Sequence, residues 1–360
     1  MLFAVCAPGL EPVLLSEVQA LGMSVRAEAG GVLVDDAAQV MRLNLWLRTA
    51  TRVLVRIGQV HATAFPELVR KAGALPWERF VRPGARVSFH VACHKSRLYH
   101  SSGVRQRLHA ALQERVGFEV PLADDGQLFV ARFDRDVCTV SADSSGPLLH
   151  QRGWRGPQAK APLRETLAAA LLLAARYDGS EPICDPLCGS GTIPIEAALI
   201  AQRRAPGLLR EFAFQRWPEF DAAAFTKLLE HARAQERPLP SRIEASDQDA
   251  GATAAASENA ARAGAQIEVT QRRLAQLPAD GGAGLIACNP PYGVRVAQGT
   301  AFRDLAEALQ RRPVWRAALV VADGARLTGA QWQRMARTQN GGIRVELITS
   351  LSPRPPGSRA

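Results

Sequence analysis

The chain has 360 residues, of which 47% are hydrophobic and 22% are charged, and its formal net charge is +10. This composition is typical of a globular protein with more than one domain, because single cores rarely grow past about 250 to 300 residues. No apolar run approaches the ~20 residues that span a bilayer, and the first apolar stretch carries Glu11 and Glu17 without a basic leader, which argues against a membrane protein or a signal peptide and favours a cytoplasmic location.

The positive charge favours a polyanionic partner such as RNA, DNA or an acidic surface. Arginine-rich composition also arises in high-GC genomes without such a partner, so the charge leaves both interpretations open. The six cysteines form no CxxC pair, and reduced thiols are expected. His90, Cys93 and His94 lie close together in the sequence without a second ligand cluster. We interpret them as strand and loop residues and predict no metal site.

Residues 1–150 alternate short strand-like runs with helical patterns, which indicates an α+β arrangement. The predicted strands are 2–6, 31–34, 52–57, 87–92, 128–132 and 137–141. The predicted helices are 10–21, 37–47 and 103–115. A segment rich in Gly, Pro, Ser and basic residues follows at 141–162, and it predicts a connection between two domains.

The second half of the chain repeats a strand followed by a helix, which predicts a parallel, doubly wound sheet. The predicted strands are 182–185, 243–246, 267–270, 284–288, 317–322 and 343–350. The predicted helices are 163–175, 192–203, 250–263 and 302–311. Ligands of such sheets bind outside the carboxyl ends of the strands, so the residues that follow each strand are the candidates for function.

The first of these strands ends in DPLCGSGT, with Asp185 at the strand tip and Gly189, Ser190 and Gly191 in a tight turn before a helix that begins near Thr192. Glycines there let the backbone approach a ligand, and the helix start presents unpaired N–H groups. The turn matches neither phosphate-binding motif, and its aspartate would repel a phosphate. It suits a cationic or hydroxyl-bearing ligand, such as the ammonium group of S-adenosylmethionine.

The second strand ends in SDQD, and the third is followed by QRR. Asp247 is placed to accept hydrogen bonds from ribose hydroxyls, while Asp249 is predicted to cap the next helix. Arg273 stands where this fold often has an acidic residue that faces the adenine amino group. That departure leaves adenine recognition to the backbone or to Gln271.

The fourth strand ends in LIACNPPYGVRV. The Asn289 side-chain oxygen and the Pro290 carbonyl can accept both hydrogens of a planar exocyclic amino group, and Pro291 stiffens the loop. Tyr292 can stack on the base that carries this amine. Two acceptors aimed at its hydrogens favour the pyramidal, nucleophilic form in the transition state. The pattern therefore predicts methyl transfer to a base amine, and it indicates no general base.

The pair DPLCGSGT and NPPYG, together with HQRGWR at 150–155 and KAPLRETLAAALL at 160–172, resembles the THUMP-domain RNA methyltransferases that modify guanine at N2. The likeness is strongest to the amino-terminal half of the bifunctional large-subunit rRNA enzyme and weaker to the tRNA guanine-N2 enzymes. The segments 3–18 and 204–208 and the QNGGIRVEL near the carboxyl end also match the family, so the resemblance covers nearly the whole chain.

The resemblance implies an α/β Rossmann-like class I methyltransferase with a seven-stranded sheet, preceded by an α+β ferredoxin-like and THUMP unit. The implied division is a ferredoxin-like unit at 1–55, an RNA-binding THUMP domain at 56–150 and the methyltransferase domain at 151–360, with 151–162 as linker. S-adenosylmethionine is the implied methyl donor, S-adenosylhomocysteine is the product, and no metal is needed.

The implied site residues fall into three groups. The donor would be held by Asp185, Pro186, Cys188, Gly189, Ser190, Gly191, Thr192 and Asp247. The target base would be held by Asn289, Pro290, Pro291 and Tyr292. Phosphate contacts would come from Lys95, Arg97 and Arg105 in the THUMP unit, unless these are a solvated face, and from Arg152 and Arg155 in the linker.

The implied reaction is methyl transfer to N2 of a guanosine in RNA, most favourably 23S rRNA. The alternatives are a tRNA guanine-N2 methyltransferase, an N6-adenine methyltransferase, and an RNA-binding or assembly factor without catalysis, for which Arg273 is the supporting feature. Phe212, Phe214 and Trp217 follow the second helix of the catalytic half. These aromatics either cover the site or belong to the core, and we favour the core.

Overall fold

The computed structural model describes residues 1–156, 163–280, 282–291, 298–325 and 330–350. The described strands are β1 Leu2–Val5, β2 Val25–Glu28, β3 Gly31–Val34, β4 Arg52–His61, β5 Val87–His94, β6 Gln127–Asp134, β7 Val137–Asp143, β8 Ile183–Asp185, β9 Ile243–Asp247, β10 Glu268–Gln271, β11 Gly284–Cys288, β12 Trp315–Ala322, β13 Trp332–Asn340 and β14 Ile343–Ser350. The described α-helices are α1 Glu11–Ala20, α2 Val40–Trp46, α3 Phe65–Ala72, α4 Ser101–Val116, α5 Glu165–Ala174, α6 Thr192–Ala201, α7 Ala222–Ala234, α8 Ala250–Ala263 and α9 Gln298–Arg311.

The first seven strands form one sheet in the order β2-β3-β1-β4-β7-β6-β5, in which only β5 and β6 pair in parallel. The predicted division between residues 55 and 56 lies inside β4. One end of β4 pairs with β1 and residues 54–61 pair with β7, so both units share a continuous sheet. The hydrophobic core that packs under the sheet differs between the two sides of this division. Residues beyond the division belong to a separate cluster around Trp77, Phe129 and Phe133.

The last seven strands form a second sheet in the order β10-β9-β8-β11-β12-β14-β13. The strands from β10 to β12 run parallel, and β14 inserts antiparallel between β12 and β13. This confirms the predicted Rossmann-like class and adds β13, which the sequence pattern did not predict. β13 is a polar strand at the sheet edge, and its exposed side chains carry little strand signal.

The central strands of this sheet are buried on both faces, which explains why their sequences read as continuous apolar runs. Leu285 and Ala287 of β11 contact the core formed with α5 and α6. Their neighbours Ile286 and Cys288 contact the core formed with α9. Alternate residues therefore serve two helical layers, and the ends of the strands remain available for a site. No helix in the described part of the chain is long and apolar enough to span a membrane.

The segment between α6 and α7 packs against both halves of the protein. Phe212 and Phe214 are buried and stacked, with ring centroids 5.3 Å apart. Trp217 packs edge-on against Phe80, with centroids 4.9 Å apart, and its Nε1 donates to Gln127 Oε1 at 2.7 Å. The core interpretation of these aromatics is confirmed, because their contacts join the two halves.

Candidate functional site at the strand tips

Three adjacent parallel strands, β9, β8 and β11, end at one edge of the second sheet. The register pairs Asp185 with Ala245, so Asp247 lies two residues beyond that pair on the neighbouring strand. On the other side Ile286 pairs with Cys184, which brings Asn289 to the same edge. The sheet thus collects the polar residues that the sequence pattern singled out, although Asp185 and Asn289 lie more than 100 positions apart along the chain.

The turn after β8 has the backbone conformation that requires glycine. Gly189 and Gly191 have φ angles of +52° and +86°. A Cβ on Gly191 would lie 3.1 Å from the Ala256 Cβ, whereas a Cβ on Gly189 would meet no heavy atom within 4 Å. Gly191 is therefore needed for packing against α8, and Gly189 borders open space where a ligand can approach the backbone.

Asp185 is a buried carboxylate, 2% exposed. Its Oδ1 accepts from the Leu187 N–H at 3.1 Å, the one hydrogen bond that the described residues give it. Burial raises the pKa of this carboxyl well above its ordinary value, and the nearby charge of Asp247 adds to the effect. A buried acid with so few partners is costly unless a cation or donor joins it, so the position suits an ammonium group.

Asp247 connects the second strand tip to the glycine turn. Its Oδ2 accepts from the Gly189 N–H at 3.0 Å, and its Oδ1 accepts from the Asp249 N–H at 3.0 Å. Each carboxylate oxygen can accept a further bond, as a ribose diol would require. Asp249 instead caps α8 through the N–H groups of Gly251 and Ala252, as predicted.

The fourth strand tip carries an unsatisfied acceptor. Asn289 Oδ1 is buried and has no hydrogen-bond partner in the described part of the chain. Pro290 is buried and Pro291 is partly exposed. A buried amide oxygen without a donor is rare in folded proteins, and a substrate amine would satisfy it. Tyr292, the predicted stacking residue, lies outside the described residues.

These features fit the implied cofactor. Asp185 would receive the ammonium group of S-adenosylmethionine, Gly189 leaves the space beside the turn open, and Asp247 would receive the ribose hydroxyls. The other predicted donor residues line the same turn: Pro186, Cys188 and Thr192 are buried and Ser190 is partly exposed. Burial raises the pKa of the Cys188 thiol above its ordinary value, which keeps it protonated and makes it a structural residue rather than a nucleophile.

Two family models match the chain. The RMKL-like methyltransferase domain matches residues 152–321, and the RlmL ferredoxin-like domain matches residues 1–54. The Synechocystis protein slr0064, by its name an RNA methyltransferase, is 33% identical over 96% of this chain and 95% of its own length. The chain belongs to the RMKL-like methyltransferase family.

Two further relatives support this family. The ribosomal RNA large subunit methyltransferase K/L of Syntrophotalea carbinolica is 33% identical over 96% of this chain, which spans 53% of that longer protein. The crystal structure of SMU.472 complexed with S-adenosylhomocysteine superposes with a TM-score of 0.85, at 30% identity over 98% of each chain. For this RMKL-like methyltransferase the predicted enzyme class and fold are therefore confirmed, and the S-adenosylhomocysteine bound to SMU.472 supports the predicted cofactor.

The structure contradicts the predicted RNA contact of Arg152 in this RMKL-like methyltransferase. Arg152 is 2% exposed, and its Nε lies 3.2 Å from Glu196 Oε1. Its two terminal nitrogens donate to the carbonyls of Leu149 and Arg48 at 2.8 and 2.5 Å. The motif arginine therefore joins the linker to the end of α2 and to α6, and its guanidinium is occupied by partners within the protein.

Arg155 has a positioning role that the sequence did not reveal. Its Nε donates to Glu165 Oε1 at 2.7 Å, and one terminal nitrogen donates to Thr192 Oγ1 at 2.8 Å. Another donates to Ser190 Oγ at 3.2 Å. The linker is thus attached to the glycine turn, and the RNA contact proposed for Arg155 stays a prediction that competes with these bonds.

Asn259 of α8 is the residue that sequence reasoning missed. It is 1% exposed, and its Nδ2 donates to the Ser190 carbonyl at 3.0 Å. Its Oδ1 accepts from the Gly156 N–H at 3.1 Å. The signal that could have identified it is a single asparagine within an alanine-rich helix, since buried polar side chains in helices need specific partners.

The remaining predicted contacts lie on the first sheet and its connection to α4. Lys95, Arg97 and Arg105 are all exposed, in the loop after β5 and in the first turns of α4.

Arg273 is exposed after β10, and Gln271 Nε2 donates to the Gln248 carbonyl at 3.2 Å. In the described part of the chain no group of three or more His, Cys, Asp or Glu is placed to hold a metal ion.

Proposed function

We propose that this enzyme transfers a methyl group from S-adenosylmethionine to the N2 amine of a guanosine in RNA, most favourably large-subunit ribosomal RNA. The observation that carries the proposal is the buried Oδ1 of Asn289 at the tip of β11, which has no hydrogen-bond partner among the described residues. It lies beside a donor site whose carboxylate, Asp185, is also short of partners. The names of the K/L relative and of slr0064 support RNA as substrate.

When bound, S-adenosylmethionine supplies an electrophilic methyl group on a sulfonium. The protein's own part is to hold and orient the nucleophile. Asn289 Oδ1 and the Pro290 carbonyl accept the two N–H groups of the base amine, which turns its lone pair towards the methyl group. Because the amine of a paired guanine lies within the helix, the base must leave the stack to reach this edge.

RNA binding is assigned to the first sheet and its connections. Residues 56–150 would act as the THUMP domain, with the exposed Lys95, Arg97 and Arg105 as phosphate contacts. The net charge of +10 is consistent with a polyanionic substrate. A cytoplasmic location follows from that substrate.

The test is to incubate the protein with labelled S-adenosylmethionine and separated cellular RNAs, and then to digest the labelled RNA to nucleosides. N2-methylguanosine from the large-subunit rRNA would support the proposal. Label in tRNA would mean that tRNA is the substrate. N6-methyladenosine would mean that adenine is the target base. Folded protein that does not bind S-adenosylmethionine in calorimetry would instead support the RNA-binding or assembly factor without catalysis.

A further inference from the structure

A basic cavity of about 800 Å³ lies beside the strand-tip site, between the linker and the segment that follows α6. Its volume is within the range of specific ligand sites, about 300 to 1,000 Å³. Five arginines and two glutamates line it. The arginines are Arg152, Arg155, Arg164, Arg210 and Arg216.

Only part of this positive charge is neutralised. Arg152 pairs with Glu196 and Arg155 pairs with Glu165. Among the described residues, Arg210 donates to backbone carbonyls and to no carboxylate, which satisfies its N–H groups without an ion pair. Arg164 and Arg216 are exposed, and no described residue accepts a hydrogen bond from either side chain. The cavity therefore presents two exposed guanidinium groups without described partners, Arg164 and Arg216, beside the half-buried Arg210.

The cavity wall is held in place by contacts that do not depend on a ligand. Arg210 donates to the carbonyls of Leu148 and Pro147 at 2.8 and 2.6 Å. Gly153 has a φ of +97°, and a Cβ there would lie 2.1 Å from the Leu209 carbonyl oxygen. The linker can approach this segment only because residue 153 is glycine. The cavity is therefore preformed, which lowers the cost of binding.

His150 responds to the electrostatic potential of the cavity. Burial lowers the pKa of its imidazole, and the positive charges of Arg164, Arg152, Arg155 and Arg210 lower it further, to about 4. The same potential that keeps this ring neutral favours an anion in the cavity.

The cavity adjoins the methyl-transfer site. Arg155 and Glu165 form part of the lining, and Arg155 also donates to Ser190 and Thr192 of the glycine turn. A chain that delivers a nucleotide to the strand tips would pass this opening with its phosphates. Guanidinium groups match phosphate oxygens in geometry as well as in charge.

We propose that this cavity binds the RNA phosphate backbone next to the target nucleotide, with Arg164 and Arg216 as the phosphate contacts. The proposal rests on the proposed function, because it takes RNA as the substrate. It differs from the THUMP contacts in location, since it lies on the linker and the catalytic half.

The test compares Arg164→Gln/Arg216→Gln with the wild type, using in vitro transcribed large-subunit rRNA as the probe. The matched control is Lys227→Gln/Arg233→Gln, which removes two exposed cations of α7 outside the cavity. Binding is measured over a series of salt concentrations, with thermal melts to verify folding. The cavity variant should lose about tenfold in RNA affinity at low salt. Its slope of log K against log [salt] should fall by about 1.4 to 1.8, the value for two lost phosphate contacts.

The affinity for S-adenosylmethionine should stay unchanged in both variants, and the control should retain the wild-type salt slope. A cavity variant that binds a productive RNA with the wild-type slope would overturn the cavity proposal and leave the proposed function standing. A wild-type protein that neither binds nor methylates RNA would overturn the proposed function, and the cavity proposal with it.

Discussion

At the scale of single residues, the site is marked by polar groups that lack partners in the described part of the chain. There Asn289 Oδ1 has no donor, and Asp185 accepts from one backbone N–H. Buried polar groups without enough hydrogen-bond partners destabilise the fold. Their presence at adjoining strand tips therefore indicates that ligands supply the missing hydrogen bonds. The supply of hydrogen-bond partners distinguishes Asn289 and Asp185 from Arg152, whose partners lie within the protein.

Asn289→Ala should lower methyl transfer by at least about 100-fold, because one of two acceptors that orient the amine is lost. The affinity for S-adenosylmethionine should stay within about threefold of wild type, since Asp185 and Asp247 are unchanged. Turnover assays and calorimetry measure the two effects. Asp247→Ala is the matched comparison and should weaken the cofactor instead. Near-wild-type turnover by the Asn289 variant would refute the orienting role.

His150 predicts a pH dependence of stability. Its folded-state pKa of about 4 lies below the value of about 6.5 expected for an unfolded histidine. Between these values the unfolded chain binds the proton more tightly, so stability falls as the pH drops from 6.5 towards 4. Urea midpoints across this range should show the loss, and His150→Gln should reduce it. An identical pH profile for the variant would mean that other groups cause the acid effect.

At the scale of elements, the glycine turn between β8 and α6 sets the geometry of the donor site. Its two glycines share a positive φ but differ in surroundings, because one contacts α8 and the other faces open space. Asn259 and Arg155 then attach the turn to α8 and to the linker. The turn is therefore positioned by two neighbouring elements as well as by its own sequence.

Gly191→Ala should destabilise the protein by more than Gly189→Ala. Both add the strain of a left-handed residue, about 1 to 2 kcal/mol, but only the first also forces a Cβ against Ala256 at 3.1 Å. Denaturant unfolding measures the difference in free energy. Gly189→Ala should instead weaken S-adenosylmethionine binding, since its new methyl group occupies the open space. Equal stability losses in the two variants would contradict this account of the turn.

At the scale of the whole molecule, two seven-stranded sheets are joined through buried polar contacts. Glu196 of α6 lies 3.2 Å from Arg152 and 3.8 Å from Arg48, which follows α2. Arg48 also donates to the Arg204 carbonyl at 2.6 Å. The linker, the ferredoxin-like half and the catalytic half therefore meet at one carboxylate, which gives the first half a defined position relative to the catalytic edge.

Arg152→Met should lower the free energy of unfolding by about 3 to 5 kcal/mol, because it removes the near partner of a fully buried carboxylate. The measurement is a denaturant titration. The control is Arg233→Met, which removes an exposed cation and should change stability by less than about 0.5 kcal/mol. If Arg152→Met were as stable as wild type but bound RNA with a lower salt slope, the original phosphate-contact interpretation would be restored.

The elements and the strand-tip residues were predictable because their signals are local. Continuous apolar runs such as Gly284–Cys288 and the turn chemistry around Gly189 identify strands and a binding edge from a few adjacent residues. Two helices, α3 and α7, and two strands were missed, and for the strands the local signal is weak. β13 is polar and lies at the sheet edge, and β2 is four residues long with no buried side chain.

By itself the sequence determined the fold class and the polar residues that follow the strands, since periodicity and turn chemistry act over short distances. The order of the strands, which brings the tips of β9, β8 and β11 together, was decided by the tertiary structure. Tertiary structure alone decided which charges are buried. Arg152 and Arg155 belong to one short motif, and the sequence alone predicted that both contact phosphates. Their guanidinium groups are instead occupied by Glu196 and by the glycine turn. Burial and charge compensation depend on residues that are distant in the chain, and no local pattern encodes them.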